Sequence, residues 1–209
     1  MADFSVSNFM ERVDALGGPV KKNRFSVEVT PPPSMASSVT ADTINFLAKS
    51  ASLPGKALAT TNYRHGGQYD LVVPYETTQE PVTIKIMNTG NHTPRIFWND
   101  WFNHIQNMTT YNMEYYEKFI GTVVISHYRD DDENIDPSKA AYQVTLHEAY
   151  PKGMSAIEVG WENADLQDFE IDMQYSWWTA SGESKTKGQL GGNLAADQVI
   201  TAGDTTGIG

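Results

Sequence analysis

The sequence of 209 residues contains no cysteine. This absence excludes disulfide bonds and thiolate zinc sites, and it is typical of proteins that assemble in a reducing compartment. The opening residues, MADFSVSNFMERV, lack the basic and then apolar segments of a signal peptide. No run approaches the roughly 18 apolar residues that a membrane-spanning helix requires. We therefore expect a soluble protein that is made inside the cell and has no membrane anchor.

Basic residues are scarce as well. The chain has 15 Lys and Arg against 26 Asp and Glu, which gives a formal net charge of −11. Proteins that bind nucleic acid or anionic membranes by electrostatic attraction depend on Lys and Arg. The composition argues against that class of binder. The length allows one good hydrophobic core with an extension or a long insertion.

Several segments alternate apolar and polar side chains, which is the period of a half-buried strand. The clearest is LQDFEIDMQYSWW, where Phe169 to Trp177 place every second side chain on an apolar face. The opposite face aligns the carboxylates Asp168, Glu170 and Asp172 about 7 Å apart. Further strands are predicted at NRFSVEVT, TINFLAKSASLPG (with Ile44, Phe46 and Ala48 on one face), VTIKIMN, GTVVISHY, AYQVTLHEAYP and SAIEVGWE.

One internal segment changes to helical spacing. HTPRIFWNDWFNHIQNM predicts a helix over about 94–109, with Thr93 as N-cap and Pro94 at the first helical position. Phe97, Trp101 and Ile105 form its apolar stripe, with Met108 beside them, so we expect this helix to pack on the sheet. A short N-terminal helix is predicted from Phe4, Phe9, Met10, Val13 and Leu16, ending at Gly17-Gly18-Pro19.

Two segments extend beyond this core. Residues 53–74 are predicted to form a long hairpin arm around the pair Gly66-Gly67. Residues 179–209 are rich in Gly and Thr and contain no aromatic side chain, so we interpret them as a flexible tail or an arm that orders on a partner. The fold class is mainly β, with about eight strands arranged as a β-sandwich or rolled half-barrel.

The candidate catalytic and metal-binding residues give weak signals. Asp130, Asp132, Asn134 and Asp136 imitate the start of a calcium loop, but Ile135 and Ala141 replace the Gly and Glu that such a loop requires. The five histidines are not spaced as ligand pairs. The three aligned carboxylates share one polar face, so no apolar pocket raises the pKa of one of them as glycoside hydrolysis would need. We expect no catalytic site, metal or cofactor.

The order of six segments resembles the tail tube protein of contractile-tailed bacteriophages, over roughly residues 1–178. After the short N-terminal helix, NRFSVEVT is similar to the opening strand N-x-F-x-V-E-[IV] of that family. FLAKSASLPG, VTIKIMN and the helix RIFWNDWFNHIQNM resemble the family's next three segments. DLQDFEIDMQYSWW is similar to its closing strand, which ends on a Trp.

This resemblance implies a structural virion protein that is not an enzyme. Six copies would form a ring, and stacked rings would form the inner tail tube through which DNA passes without specific binding. Expected partners are further copies, the sheath protein, and baseplate and tail-terminator proteins, with assembly in the bacterial host cytoplasm. The arm would contact the adjacent ring, and its proposed contact residues are Leu53, Pro54, Tyr63, Arg64, His65, Gly66, Gly67 and Tyr69.

The resemblance also suggests a role for the closing strand. Its acidic face, Asp168, Glu170 and Asp172, would line the bore and prevent DNA from adhering, or it would lie on the outside against sheath or solvent. Trp177 would lie in the core with Phe97, Trp101 and Ile105. Alternatives within the class are a baseplate tube initiator and a pyocin-like or type VI secretion-like tube protein. The alternative of another class is a carbohydrate- or metal-binding β-sandwich that uses Trp178 and the acids.

Overall fold

The computed structural model describes residues 5–15, 18–37, 39–64, 66, 69–129, 140–162 and 165–181. In these residues there are nine strands: β1 Phe25–Thr30, β2 Ala48–Ala51, β3 Ala57–Tyr63, β4 Leu71–Thr78, β5 Val82–Met87, β6 Gly121–His127, β7 Tyr142–Met154, β8 Asp168–Gln174 and β9 Trp177–Ala180. The four helices there are α1 Val6–Ala15, α2 Asp42–Asn45, α3 Thr93–Ile105 and α4 Tyr116–Phe119. The expected mainly β fold is confirmed. The acidic segment 130–139 and residues 182–209 lie outside the described part.

Seven strands form one antiparallel sheet in the order β1-β6-β7-β8-β5-β2, with β9 also paired to β7. Strands β8 and β9 pair with β7 in the same register, since Tyr150 faces Gln174 and His147 faces Trp177. The closing strand was predicted to continue unbroken to Trp178, but it bends between Gln174 and Trp177. Opposite this bend Glu148 adopts a left-handed backbone conformation with φ 53°, which is uncommon for a residue other than glycine.

The core follows from the alternation in the sequence. Val82, Ile84 and Ile86 of β5 are buried, and each faces a buried residue of β8 across the strand pair, namely Met173, Ile171 and Phe169. Burying one such side chain stabilises the fold by about 1.5–3 kcal/mol relative to leaving it in water. The polar residues between them, such as Thr83 and Lys85, lie on the opposite surface of the same sheet.

Helix α3 covers the apolar side of the sheet. Phe97, Trp98, Trp101 and Ile105 are buried in the same core. The rings of Trp98 and Trp101 are parallel with centroids 5.5 Å apart, and the indole N–H of Trp101 donates to the carbonyl of Phe119 at 2.9 Å. Such a hydrogen bond satisfies a polar group that would be costly to bury alone.

The predicted ends of α3 were wrong. Thr93 is the first helical residue rather than the N-cap, and His92 precedes it with φ 53°. The helix stops at Ile105, because Asn107 begins a turn in which its side-chain oxygen accepts from the backbone N–H groups of Thr109 and Thr110. Met108 is therefore exposed instead of joining the apolar stripe.

The segment TINFLAKSASLPG, Thr43 to Gly55, was predicted to be one extended run, and this was wrong. Asp42–Asn45 form the single helical turn α2, so Ile44 is buried while Phe46 is 93% exposed. The Asn45 side-chain oxygen accepts from the backbone N–H of Val29 at 2.9 Å, which fixes this turn beside β1. The strand that follows is limited to β2.

The strand predicted at SAIEVGWE is not formed, since residues 155–162 lie in a connection between β7 and β8. Strand β7 already reaches Met154, and the side chain of Ser155 then accepts from the backbone N–H of Glu170 at 2.8 Å. Val159 and Trp161 are exposed in the following connection. The N-terminal helix is present as α1, with none of its described residues buried. In the described residues no helix is long and apolar enough to cross a membrane.

The hairpin arm is present, but it runs from Ala57 to Thr78 instead of the predicted 53–74. Strands β3 and β4 form a separate two-stranded sheet that extends to the pair Ala57 and Thr78. Its register shifts between Ala59 and Thr60, opposite Pro74, a residue that cannot donate to the strand pair. Every described residue of β4 is exposed, so the arm has surface available on both of its faces.

Candidate functional site

The polar surface of β2, β5 and β8 carries a compact group of charges. We define the charged face as Lys49, Thr83, Lys85, Asp168, Glu170 and Asp172. Alternation in β5 and β8 places their apolar residues in the core and these residues on the other side. In β2 the register shifts between Ala48 and Ser50, which adds Lys49 as an extra residue at the bulge.

The two lysines are paired with the acids. The Lys49 ammonium donates to Asp168 Oδ2 at 2.9 Å, reaching across β5 to do so. The Lys85 ammonium lies 3.3 Å from Asp168 Oδ1 and 3.6 Å from Glu170 Oε1. Asp168 therefore binds two ammonium groups, and its side chain is only 23% exposed.

These pairs change the ionisation of the groups involved. The hydrogen bond from Lys49, helped by Lys85, holds the pKa of the Asp168 carboxyl group below its ordinary value. The hydrogen bond to Asp168 raises the pKa of the Lys85 ammonium group above its ordinary value. Both shifts favour the charged forms of Asp168 and Lys85. Asp172 has a different neighbour, since its Oδ1 accepts from the Thr83 hydroxyl at 2.7 Å.

The sequence pattern therefore predicted the acidic residues of the charged face but not the lysines that pair with them. The alternation predicted Asp168, Glu170 and Asp172 on one face of the closing strand, and all three lie on the side of β8 that faces away from the core. It missed Lys49 and Lys85 because ion pairs between distant strands depend on strand order. The one signal in the sequence was the polar position of Lys85 within VTIKIMN.

The described residues proposed for the arm contact are all accessible at or near the hairpin. Leu53 and Tyr63 are exposed, and Tyr69 is 89% exposed. Arg64 lies 3.7 Å from Asp70 and so links the two strands near the tip, where Gly66 adopts φ 71°. Pro54 precedes β3, while His65 and Gly67 lie outside the described residues.

The residues proposed for helix packing do not all meet in one place. Phe97, Trp101 and Ile105 are buried together. Trp177 lies beyond the bend, where it is half-buried and stacks on His147. Trp178 packs against the core, and the Lys56 ammonium lies 4.3 Å from the centre of its ring. The ring of Trp178 is therefore partly covered and is not an open platform for a sugar.

The described residues contain no cluster of potential metal ligands. In the ranges given above, no group of three His, Cys, Asp or Glu side chains could hold a metal ion. His104 contacts Ser34 and the carbonyl of Lys118, and His92 Nδ1 accepts from the side-chain amide of Asn88. His65 and the calcium-like residues Asp130, Asp132, Asn134 and Asp136 lie outside the described part.

Comparison with solved structures identifies similar folds. A chain of the sheath–tube complex of the extracellular contractile injection system PVC, in its extended state, has a TM-score of 0.55 and 18% identity, covering 85% of this chain and 98% of that one. A chain of the tube-terminating cap of the anti-feeding prophage has the same TM-score with 16% identity, covering 86% and 98%. A chain of the baseplate of that particle, at 11% identity and TM-score 0.55, covers 78% and 95%.

A family profile places the chain more closely. Residues 20–181 match the family described as phage tail tube protein, whereas no curated protein sequence matches the chain significantly. The matched span includes β1 to β9 and therefore the whole described β domain. It confirms the resemblance inferred from the order of the sequence motifs. The chain belongs to the phage tail tube protein family and is a structural tube protein of the virion tail rather than an enzyme.

Proposed function

We propose that six copies of this chain close into a ring, that rings stack into the inner tail tube, and that the phage genome passes through its bore. The observation that supports ring formation best is the state of the sheet edges. Strands β1 and β2 end the bent sheet, and within the described residues each pairs with a strand on one side only. Unpaired edges invite pairing with another chain.

The two edges differ in sequence and position, so a contact between them joins unlike surfaces of neighbouring copies. Such head-to-tail contacts close into a ring when the rotation between copies divides a full turn. Backbone hydrogen bonds would supply much of this contact, with side chains adding selectivity. Ring closure would leave no free edge in the assembled sheet.

We propose that the charged face lines the wall of the bore. Its opposite side packs into the core with α3, whereas the side chains of Lys49 and Glu170 on the charged face are more than half exposed. Duplex DNA carries one charge per about 1.7 Å of axis, so a wall of free lysines would hold it. A face that presents carboxylates and ties its lysines to them would let DNA pass.

The arm is our choice for the contact between stacked rings. It carries exposed apolar side chains on both faces, including Leu58, Leu71 and Tyr75. Isolated two-stranded hairpins are marginally stable in water. Burial of these side chains against the adjacent ring would both stabilise the arm and join the rings.

The matched structures suggest the other partners. They are named as a sheath–tube complex, a tube-terminating cap and a baseplate. We infer that this tube contacts a sheath protein, a terminator and a baseplate, and that it assembles in the host cytoplasm. The match to a baseplate chain makes a tube initiator the second candidate function.

Negative-stain electron microscopy of the purified protein at increasing concentration tests the proposal. We expect rings with a central hole, and stacks or tubes of constant diameter as the concentration rises. An initiator would give single rings that do not stack. A monomer at every concentration would contradict both functions and would favour a binding module instead.

A further inference from the structure

We propose that Lys49 and Lys85 are the residues that determine how the wall of the bore treats a polyanion. They bring the charged face close to neutrality and are themselves held away from DNA by the acids. This inference rests on the proposed function, because it requires the charged face to line the bore. It gives the lysines a role in passage that neither the acidic composition nor the tube fold predicts.

The net charge of the charged face depends on its two lysines. Two ammonium groups stand against three carboxylates, so the charged face has a net charge of −1 per copy. Without the lysines the same face would carry −3. The chain as a whole has 15 basic against 26 acidic residues, so the charged face, with two against three, has a balance similar to that of the chain and owes it to these two lysines.

Contacts with the carboxylates hold the two lysines in place. A lysine side chain is long and flexible, and a free one in a bore wall would extend toward phosphate groups. Here Lys85 lies within 4 Å of two carboxylates, and Lys49 forms a direct hydrogen bond to Asp168. The side chain of Lys49 is 58% exposed, so this hydrogen bond, rather than burial, directs its ammonium group.

Salt limits the distance over which the charges of the wall act on DNA. At physiological salt the Debye length is about 8 Å, so only charges near the wall act on a passing duplex. Pairs whose charges are closer together than that length largely cancel for DNA at the centre of the bore. The wall would therefore neither hold the duplex nor exclude it strongly. Asp172, which has the Thr83 hydroxyl as its partner, supplies the remaining negative charge.

The test uses tubes assembled from three variants and a fluorescent linear duplex DNA. In Lys49→Met with Lys85→Met, three acids remain on the face. In Asp168→Asn with Glu170→Gln, two lysines are released and one acid remains. Lys118→Met is the matched control. Lys118 lies in α4 and pairs with Glu114, and neither residue belongs to the charged face. Electron microscopy first establishes that each variant forms tubes.

The readout is the DNA that sediments with tubes and resists nuclease, measured across a range of salt. We expect the acid-neutralised variant to retain on the order of tenfold more DNA than the unmodified protein at low salt, with the excess lost at high salt. We expect the lysine-deleted variant to retain less and the Lys118 control to match the unmodified protein.

Two results would overturn the inference. One is equal retention by all variants that form tubes, which would leave the tube function intact. The other is extra DNA that nuclease removes, because the charged face would then lie on the outside. The single variants Lys49→Met and Asp168→Asn give the same comparison should a double variant not assemble. If the unmodified protein forms no tubes, it is the proposed function that fails.

Discussion

His147 and Trp177 lie face to face across the bend of the sheet. Their ring centroids are 3.7 Å apart, and their planes differ by only 10°. The two residues are partners in the pairing of β7 with β9, and the His147 ring nitrogen Nε2 lies 3.0 Å from the Thr179 hydroxyl. The stack stands next to Glu148, the residue with the left-handed backbone, so it stabilises the point at which the sheet turns.

The burial of His147 makes the stability of the protein depend on pH. Burial lowers the pKa of His147 below its ordinary value, with a smaller opposing effect from Glu148. A histidine whose pKa is lowered by folding contributes stability above about pH 6.5, and that contribution is lost as the pH falls through the lower folded value. We expect a larger decrease in Tm between pH 7 and pH 5 for the natural protein than for His147→Phe, which keeps a stacking ring but cannot titrate.

Circular dichroism melting at both pH values measures the difference. Other titrating groups contribute equally to both proteins, so the comparison isolates His147. The same decrease in Tm for the two proteins would show that this ring does not link pH to stability.

Gly121 begins β6 at a point where no side chain fits. A Cβ atom there would overlap the carbonyl oxygen of Thr30 and lie 2.9 Å from the Trp101 ring. Trp101 is buried in the core and the Thr30 oxygen belongs to the backbone of β1, so the backbone or the indole must move. We expect Gly121→Ala to lower the free energy of unfolding by about 1–3 kcal/mol, measured by urea denaturation of unassembled subunits.

The control is Gly160→Ala, where a Cβ atom has no neighbour within 4 Å. That variant should unfold close to the natural protein. An unchanged midpoint for Gly121→Ala would mean that β1, β6 and α3 pack less tightly than described.

The arm is expected to join rings rather than to stabilise the subunit. Within the described residues it forms its own two-stranded sheet, apart from the seven-stranded one. Replacing Tyr63–Tyr69 with a two-residue Asn-Gly turn should leave folded subunits, since this turn suits a short hairpin. We expect such subunits to have normal circular dichroism but to form no tubes in electron microscopy.

A milder pair of variants separates loss of the tip from loss of apolar surface. Leu58→Ser with Leu71→Ser keeps the length of the arm and removes two exposed apolar side chains. We expect tubes of this variant to be shorter or to require more protein. Tubes of normal length from both arm variants would rule out the arm as the ring-to-ring contact.

Alternation in the sequence was a sound guide where both neighbours of a strand belong to the same sheet. In β5 and β8 every predicted core residue is buried, because a strand between two others has one fixed inner face. The order of motifs was sufficient to identify the family. Helix α2 was missed because a single turn of four residues has no repeating pattern, and its hydrogen bond from Val29 to Asn45 is a tertiary contact.

The site was harder to predict than the fold. Lys49 and Asp168 are 119 positions apart in the chain, and they meet only because β2, β5 and β8 are neighbours and β2 contains a bulge. Neither the strand order nor the bulge can be read from the spacing of residues along the sequence. The bend between β8 and β9 was likewise invisible in the sequence, since Tyr175 and Ser176 continue the alternation without a Gly or Pro to mark it.

The most direct test is a cryo-EM map of the assembled particle at side-chain resolution. We predict a six-fold ring in which β1 or β2 of each copy pairs with the next copy, and in which Lys49, Lys85, Asp168, Glu170 and Asp172 face the bore. A map that shows subunits with unpaired sheet edges and no central channel would contradict the account.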